Sequence, residues 1–128
     1  MVQRIVMPLR DNSGMSSRVT GHPGRAPYFG VVELEGDQVV SFKIVQNPYA
    51  SEHDEHQEHH DGHMHGGFFA FLVSLRPTAV ITYTIGPGAF YRLKDMGIRI
   101  YRPKGHTVEE NIRAYLSSEL EELAQPVE

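Results

Sequence analysis

The sequence predicts a single mixed α/β domain: a five-stranded sheet covered by helices, in the order strand, hairpin, helix, strand, helix, strand, helix. Three observations carry that expectation. Two β-rich runs flank Glu35-Gly36-Asp37, a hairpin signal. After residue 67, short apolar strands alternate with helical stretches, the pattern of parallel strands joined by crossovers. Thr107-Val108-Glu109-Glu110 is a capping box that opens a last helix.

The elements follow in chain order. Gln3–Leu9 is apolar and β-rich and reads as the first strand, ending at Arg10-Asp11-Asn12. Residues 11–26 are rich in Ser, Gly and Pro and form a long loop of the kind that carries function. Residues 27–34 and 38–46 are the hairpin arms, and Asn47-Pro48 stops the second, because proline cannot continue a ladder. Residues 50–67 form a histidine-rich loop. Residues 68–75 are apolar at most positions and read as a short buried helix, with a strand as the alternative that pattern alone leaves open. Residues 79–83 are a buried strand, Ile85-Gly86-Pro87-Gly88 a tight turn, and 89–96 a helix stopped by Gly97. Residues 98–101 are the fifth strand. The last helix is expected to run to about Leu123, with Val108, Ile112, Tyr115 and Leu116 on one face and Leu120 extending it.

Composition limits the function classes. The chain has 128 residues, 40% hydrophobic and 22% charged, as befits a folded globular domain. Its formal net charge of −4 argues against a nucleic-acid partner, whose backbone demands a basic surface. No apolar run approaches a membrane span and no leader pattern is evident, so neither a membrane nor a secretory route is expected, and a cytoplasmic location is. There is no cysteine, so neither a disulfide nor thiolate ligation of a cluster is available.

The strongest local signal is six histidines in one stretch: His53, His56, His59, His60, His63 and His65. Neutral imidazole is the commonest protein metal ligand, so the run is a candidate site for Zn, Ni, Cu or Co. In a helix, His56 and His60, or His59 and His63, would lie one turn apart. In an extended chain, His63 and His65 would face the same way. The bland alternative is a solvated connector that meets metal adventitiously. No His-Glu-x-x-His pattern is present, so a zincin-type protease is not indicated. Asp54, Glu55, Glu58 and Asp61 interleave the run and favour imidazolium. Metal affinity of this run is therefore expected to fall as pH drops through about 6, because the proton competes for the ligand nitrogen. Calorimetric titration with Zn and Ni at two pH values checks this, and equal affinities would refute it.

In open α/β sheets a ligand sits beyond the carboxyl ends of the parallel strands. Three segments reach that rim: the loop with Asp11, Asn12, His22 and Arg25, the Gly86-Pro87-Gly88 turn, and the histidine loop, which ends in Gly66-Gly67. A basic side chain, imidazoles and helix-start amides around one rim suit an anionic metal cluster or a metal with an anionic co-ligand. Each also has a structural alternative: Arg25 as a surface ion pair, His22 as a loop residue bonding to backbone, the glycine turn as a plain turn. For His106, just before the capping box, the structural reading is preferred.

Several segments together resemble a known family. Gly21-His22-Pro23-Gly24-Arg25-Ala26-Pro27-Tyr28-Phe29, then Ile85-Gly86-Pro87-Gly88-Ala89-Phe90 with Leu93 and Gly97-Ile98-Arg99-Ile100-Tyr101, then Gly105, Thr107, Val108 and Glu109 follow the order and spacing of the dinitrogenase iron–molybdenum cofactor biosynthesis family. That family includes NifX-like proteins and the carboxyl-terminal domain of NifB. The resemblance spans nearly the whole chain. It implies a ribonuclease H-like fold and a non-enzymatic role: binding or carrying an iron–molybdenum cofactor, its precursor or another metal–sulfur cluster, in exchange with a donor or acceptor protein. His22 and Arg25 match the family's histidine and arginine in that loop, and Gly86 and Gly88 fall in its turn. Pro23 departs from the family's phenylalanine. The dense histidine loop is an elaboration of some relatives, and stand-alone members occur outside nitrogen fixation, so a nitrogenase role does not follow. Two other classes stand beside this one. One is a metal buffer or metallochaperone that uses only the histidine loop. The other is a ribonuclease H-like nuclease, which needs several converging carboxylates. Asp11 ends the first strand where one would sit, but Tyr83 and Tyr101 occupy the corresponding later places. Deleting residues 53–65 separates buffer from carrier, and metal-dependent cleavage lost on substituting Asp11 would reveal a nuclease.

Overall fold

The structure is a computed structural model; it describes residues 2–50, the backbone of 62–66, and 67–128. His53, His56, His59 and His60, and the side chains of His63 and His65, lie outside the described residues.

The first strand, β1 (Val2–Leu9), is flanked on one side by the hairpin of β2 (Tyr28–Glu35) and β3 (Gln38–Gln46). It pairs antiparallel with β2 through eight positions, from Val2↔Glu35 to Leu9↔Tyr28. Gly36, at φ +64°, takes the left-handed backbone that the hairpin turn needs. Register slips by one residue beside Glu33/Leu34, a bulge near the turn. On the other side of β1 lie β4 (Ala79–Ile81) and β5 (Arg99–Arg102), both parallel. A short β6 (Glu121–Glu122) closes the edge antiparallel to β5, giving the order β3-β2-β1-β4-β5-β6.

The sheet therefore has six strands rather than the expected five, and the reason lies at the end of the last helix. That helix, α3 (Val108–Leu116), starts on the expected box: Thr107 accepts from the Glu110 N–H at 3.1 Å, and Glu110 accepts from the Thr107 N–H at 3.1 Å. It stops seven residues short of Leu123. Ser118 turns left-handed at φ +59°, its N–H bonds to the Tyr115 carbonyl (3.1 Å), and the Glu119 N–H bonds to the Ala114 carbonyl (2.8 Å). This is a Schellman stop built without glycine. The chain then turns back, and the Leu123 N–H bonds to the Ile100 carbonyl at 2.8 Å. Leu123 is buried against the sheet rather than on the helix.

Two further boundaries differ. The helix expected from Phe68 begins earlier, as α1 (Gly62–Ser74), inside the stretch read as loop. Gly67 weakens a helix by propensity but is needed by packing: a Cβ there would meet the Tyr49 ring at 3.0 Å. The other helix, α2 (Pro87–Asp95), starts two residues earlier than expected, with Pro87 in its first turn, where its missing N–H costs nothing. Gly97, at φ +81°, ends it as expected.

Alternation along the strands divides the core into two layers. Ile5, Met7, Leu9, Val32, Leu34 and Ile81 face α3, through Val108 and Ile112. Val6, Phe29, Val31, Val80 and Ile100 face α1 and α2, through Phe68, Phe69, Leu72, Phe90 and Leu93. Phe29 is completely buried, and its ring centroid lies 5.9 Å from those of both Phe68 and Phe71. Among the described residues no helix is long and apolar enough to cross a membrane.

Candidate functional site

The loop after β1 is latched to the loop after β4. Thr20 donates its N–H to the Pro8 carbonyl at 2.9 Å. Thr84 bonds to the Gly21 carbonyl twice, through its N–H (3.2 Å) and its hydroxyl. Next comes a 3-10 turn, Pro23–Arg25, in which the Ala26 N–H bonds to the Pro23 carbonyl at 3.2 Å. From the far side Asn47 grips this turn. Its side-chain amide donates to the carbonyls of Ala26 (2.8 Å) and Gly24 (3.4 Å), and its Oδ1 accepts from the Tyr49 N–H (2.9 Å). Asn47 is buried, so these bonds compensate an amide that has left water.

This scaffold encloses a cavity of about 590 Å³, within the range of small-ligand sites. His22, Arg25, Gly86 and Gly88 all line it, together with the α1 residues Phe68 and Phe69. Two of the three rim segments anticipated from sequence, the loop after β1 and the glycine turn, thus meet at one place; the histidine run lies outside the described residues. The strand ends explain this: β1 and β4 run parallel and release their loops on the same side. Gly86 caps α2 without any side-chain bond to the first-turn amides. Neither Gly86 nor Gly88 has a left-handed φ, and an added Cβ at either would meet nothing within 4 Å. Neither backbone conformation nor packing therefore requires glycine at these two positions.

Other lining residues were not anticipated. Arg92, on α2, adds a second guanidinium, with its Cζ 3.9 Å from the centroid of the Phe69 ring. It stands four residues after Gly88, one helical turn on, which was the available signal. Val127 and Glu128 close another side. Val127 exchanges two backbone hydrogen bonds with Ile85, at 2.7 and 3.1 Å, just before the glycine turn. Nothing in the sequence pattern marks that pairing.

The remaining polar residues of the rim have structural duties. Asp11 does not line the cavity. Burial works to raise its pKa, but hydrogen bonds from Ser13, the Arg18 backbone and Ser17, with the charge of Arg10, hold it below the usual carboxylate value. Tyr83 donates its hydroxyl to the Gly105 carbonyl at 3.1 Å, and Tyr101 stacks edge-on with Tyr115. His106 is exposed, and its backbone N–H bonds to Glu110 at 2.7 Å beside the capping box. Among the described residues no three His, Asp or Glu side chains converge as a metal site.

The sequence profile described as "Dinitrogenase iron-molybdenum cofactor" matches residues 3–118. The chain belongs to this family. An uncharacterized protein of Methanocaldococcus jannaschii is 25% identical over 123 residues, covering 94% of this chain and 91% of the relative. Among solved structures of similar fold, the apo form of the orange protein from Desulfovibrio gigas is 25% identical, with a TM-score of 0.77 and coverage of 98% of this chain and 97% of that one. A Thermotoga protein provisionally named NifB is 30% identical, with a TM-score of 0.74 and the same coverages. The family match takes in β1 to α3 and ends at Ser118, so the returning segment with β6, Val127 and Glu128 lies beyond it.

Proposed function

We propose that this dinitrogenase iron-molybdenum cofactor family member binds and carries an anionic metal–sulfur cluster, of the iron–molybdenum type or a precursor, without catalysing a reaction on it. The observation that carries this reading is the convergence of Arg25, Arg92, His22 and the start of α2 on one largely apolar cavity of about 590 Å³. Two guanidiniums and uncapped helix amides favour negative charge, and the apolar wall beside them screens the attraction less than bulk water would. His22 supplies the imidazole for a metal at the cluster's surface. With no cysteine to form thiolate bonds, the cargo is held reversibly, as a carrier handing it from a donor to an acceptor protein requires. The strand order, with three central parallel strands and an antiparallel hairpin, supports a ribonuclease H-like lineage.

Anaerobic equilibrium dialysis against tetrathiomolybdate, an anionic molybdenum–sulfur probe, tests the reading. Retention of the probe by the wild-type protein, and equally by a variant lacking residues 53–65, is the expected result. Binding that disappears with those residues would leave only the second reading, a metal buffer built on the histidine run, which the sequence itself supports. The same deletion is expected to abolish most Zn and Ni binding, because the described residues hold no cluster of metal-ligating side chains.

A further inference from the structure

The cavity combines two properties that rarely suit the same anion. It carries positive charge, yet its walls are mainly carbon: Phe29, Phe68, Phe69, Leu72, Val80 and Ile85. A small oxyanion can reach the guanidiniums and the α2 amides at the rim, but the rest of the wall offers it almost no hydrogen-bond donor. The Thr84 hydroxyl is already given to Gly21. Glu128 adds a carboxylate to the lining, which accepts but offers no donor to an anion. The volume also far exceeds that of a tetrahedral oxyanion.

Arg92 is built for the opposite kind of ligand. Its guanidinium lies over the ring of Phe69 at 3.9 Å, and Phe69 is itself only 8% exposed. The contact holds the planar cation against an aromatic face, which lowers its mobility and replaces part of its hydration. A guanidinium is already weakly hydrated and presents its N–H donors as a flat fork, unlike the compact, strongly hydrated ammonium of lysine. Gly88, one turn earlier on α2, puts no side chain in the space beside it.

We propose that Arg92, stacked on Phe69, sets the cargo preference of this cavity: large, weakly hydrated, sulfide-surfaced polyanions over small hydrated oxyanions. This rests on the carrier reading and names the chemical class that the site selects. Arg92 is a binding residue whose stacking, as much as its charge, does the selecting.

Tetrathiomolybdate and molybdate are the discriminating probes, because both are tetrahedral dianions and differ in size and hydration. Anaerobic dialysis of the wild-type protein is expected to favour the thio-anion by about tenfold or more. Arg92→Lys keeps the charge and loses the planar stack, so thio-anion affinity is expected to fall while molybdate affinity holds, bringing the ratio towards unity. Arg92→Gln is expected to weaken thio-anion binding by about tenfold or more, since a charge-assisted bond is lost. Phe69→Leu is expected to behave as Arg92→Lys does. Arg92 is exposed, so thermal melting of its variants should match the wild type. A wild-type ratio in Arg92→Lys, or undiminished binding in Arg92→Gln, would overturn the assignment while leaving the carrier reading in place. A wild-type protein that retains neither probe would overturn both.

Discussion

Phe29→Ala is expected to cost about 3–5 kcal/mol of folding stability, a large share of the roughly 5–15 kcal/mol typical of a domain. Phe29 has no solvent exposure and sits on β2, paired to Pro8 of β1 on one side and to Val45 of β3 on the other. Its ring meets Phe68 and Phe71 of α1, each at 5.9 Å, so truncation leaves a void between sheet and helix that neither can close alone. The same ring lines the cavity beside His22 and Arg25, so the void would merge with it. Urea unfolding followed by far-ultraviolet circular dichroism measures the loss. Phe29→Leu, which keeps most of the volume, is expected to cost about 1 kcal/mol. A similar small loss for alanine would show that the aromatic cluster is not what joins α1 to the sheet.

The second large effect is expected at Asn47. Replacement by alanine removes the donor that satisfies the Ala26 and Gly24 carbonyls and the acceptor of the Tyr49 N–H. Ala26 and Gly24 are buried, so water cannot easily replace the amide, and about 2–3 kcal/mol should be lost. Asn47→Asp keeps the acceptor but faces two carbonyls with another oxygen, so it should destabilise at least as much as alanine. Arg25 sits between the two gripped residues, and thiomolybdate affinity should fall in both variants. Urea unfolding and dialysis together check this. Full stability in Asn47→Asp would mean that the side-chain amide does not donate to the turn.

Much of this architecture was legible because it rests on local chemistry. Gly36, the Thr107–Glu110 box and Gly97 each do what their residue types require, and they place the hairpin, the start of α3 and the end of α2. The rim loops converge because parallel strands release them on one side, so His22, Arg25, Gly86 and Gly88 could be grouped before any coordinates. What escaped depends on tertiary context. Ser118 adopts a backbone usually left to glycine, so α3 shows no stop signal, and β6 is two glutamates with no strand pattern. Gly66-Gly67 reads as a loop until Tyr49 supplies the ring that Gly67 must accommodate. Asn47 reads as a strand end, and its grip on the turn around Arg25 is invisible without the partner carbonyls in place. The histidine run was the loudest sequence feature and lies outside the described residues, while the charged side chains that line the cavity come from quieter positions.

The pairing of Val127 with Ile85 has a consequence for the order in which the cavity is built. Of all the residues that line the cavity, Val127 and Glu128 leave the ribosome last. A nascent chain can form its hairpin and its βαβ units, and can already display His22, Arg25 and the glycine turn, while one side of the cavity still gapes. The last wall is therefore fixed by a long-range contact: that side of the cavity is complete only once Val127 has paired back to Ile85.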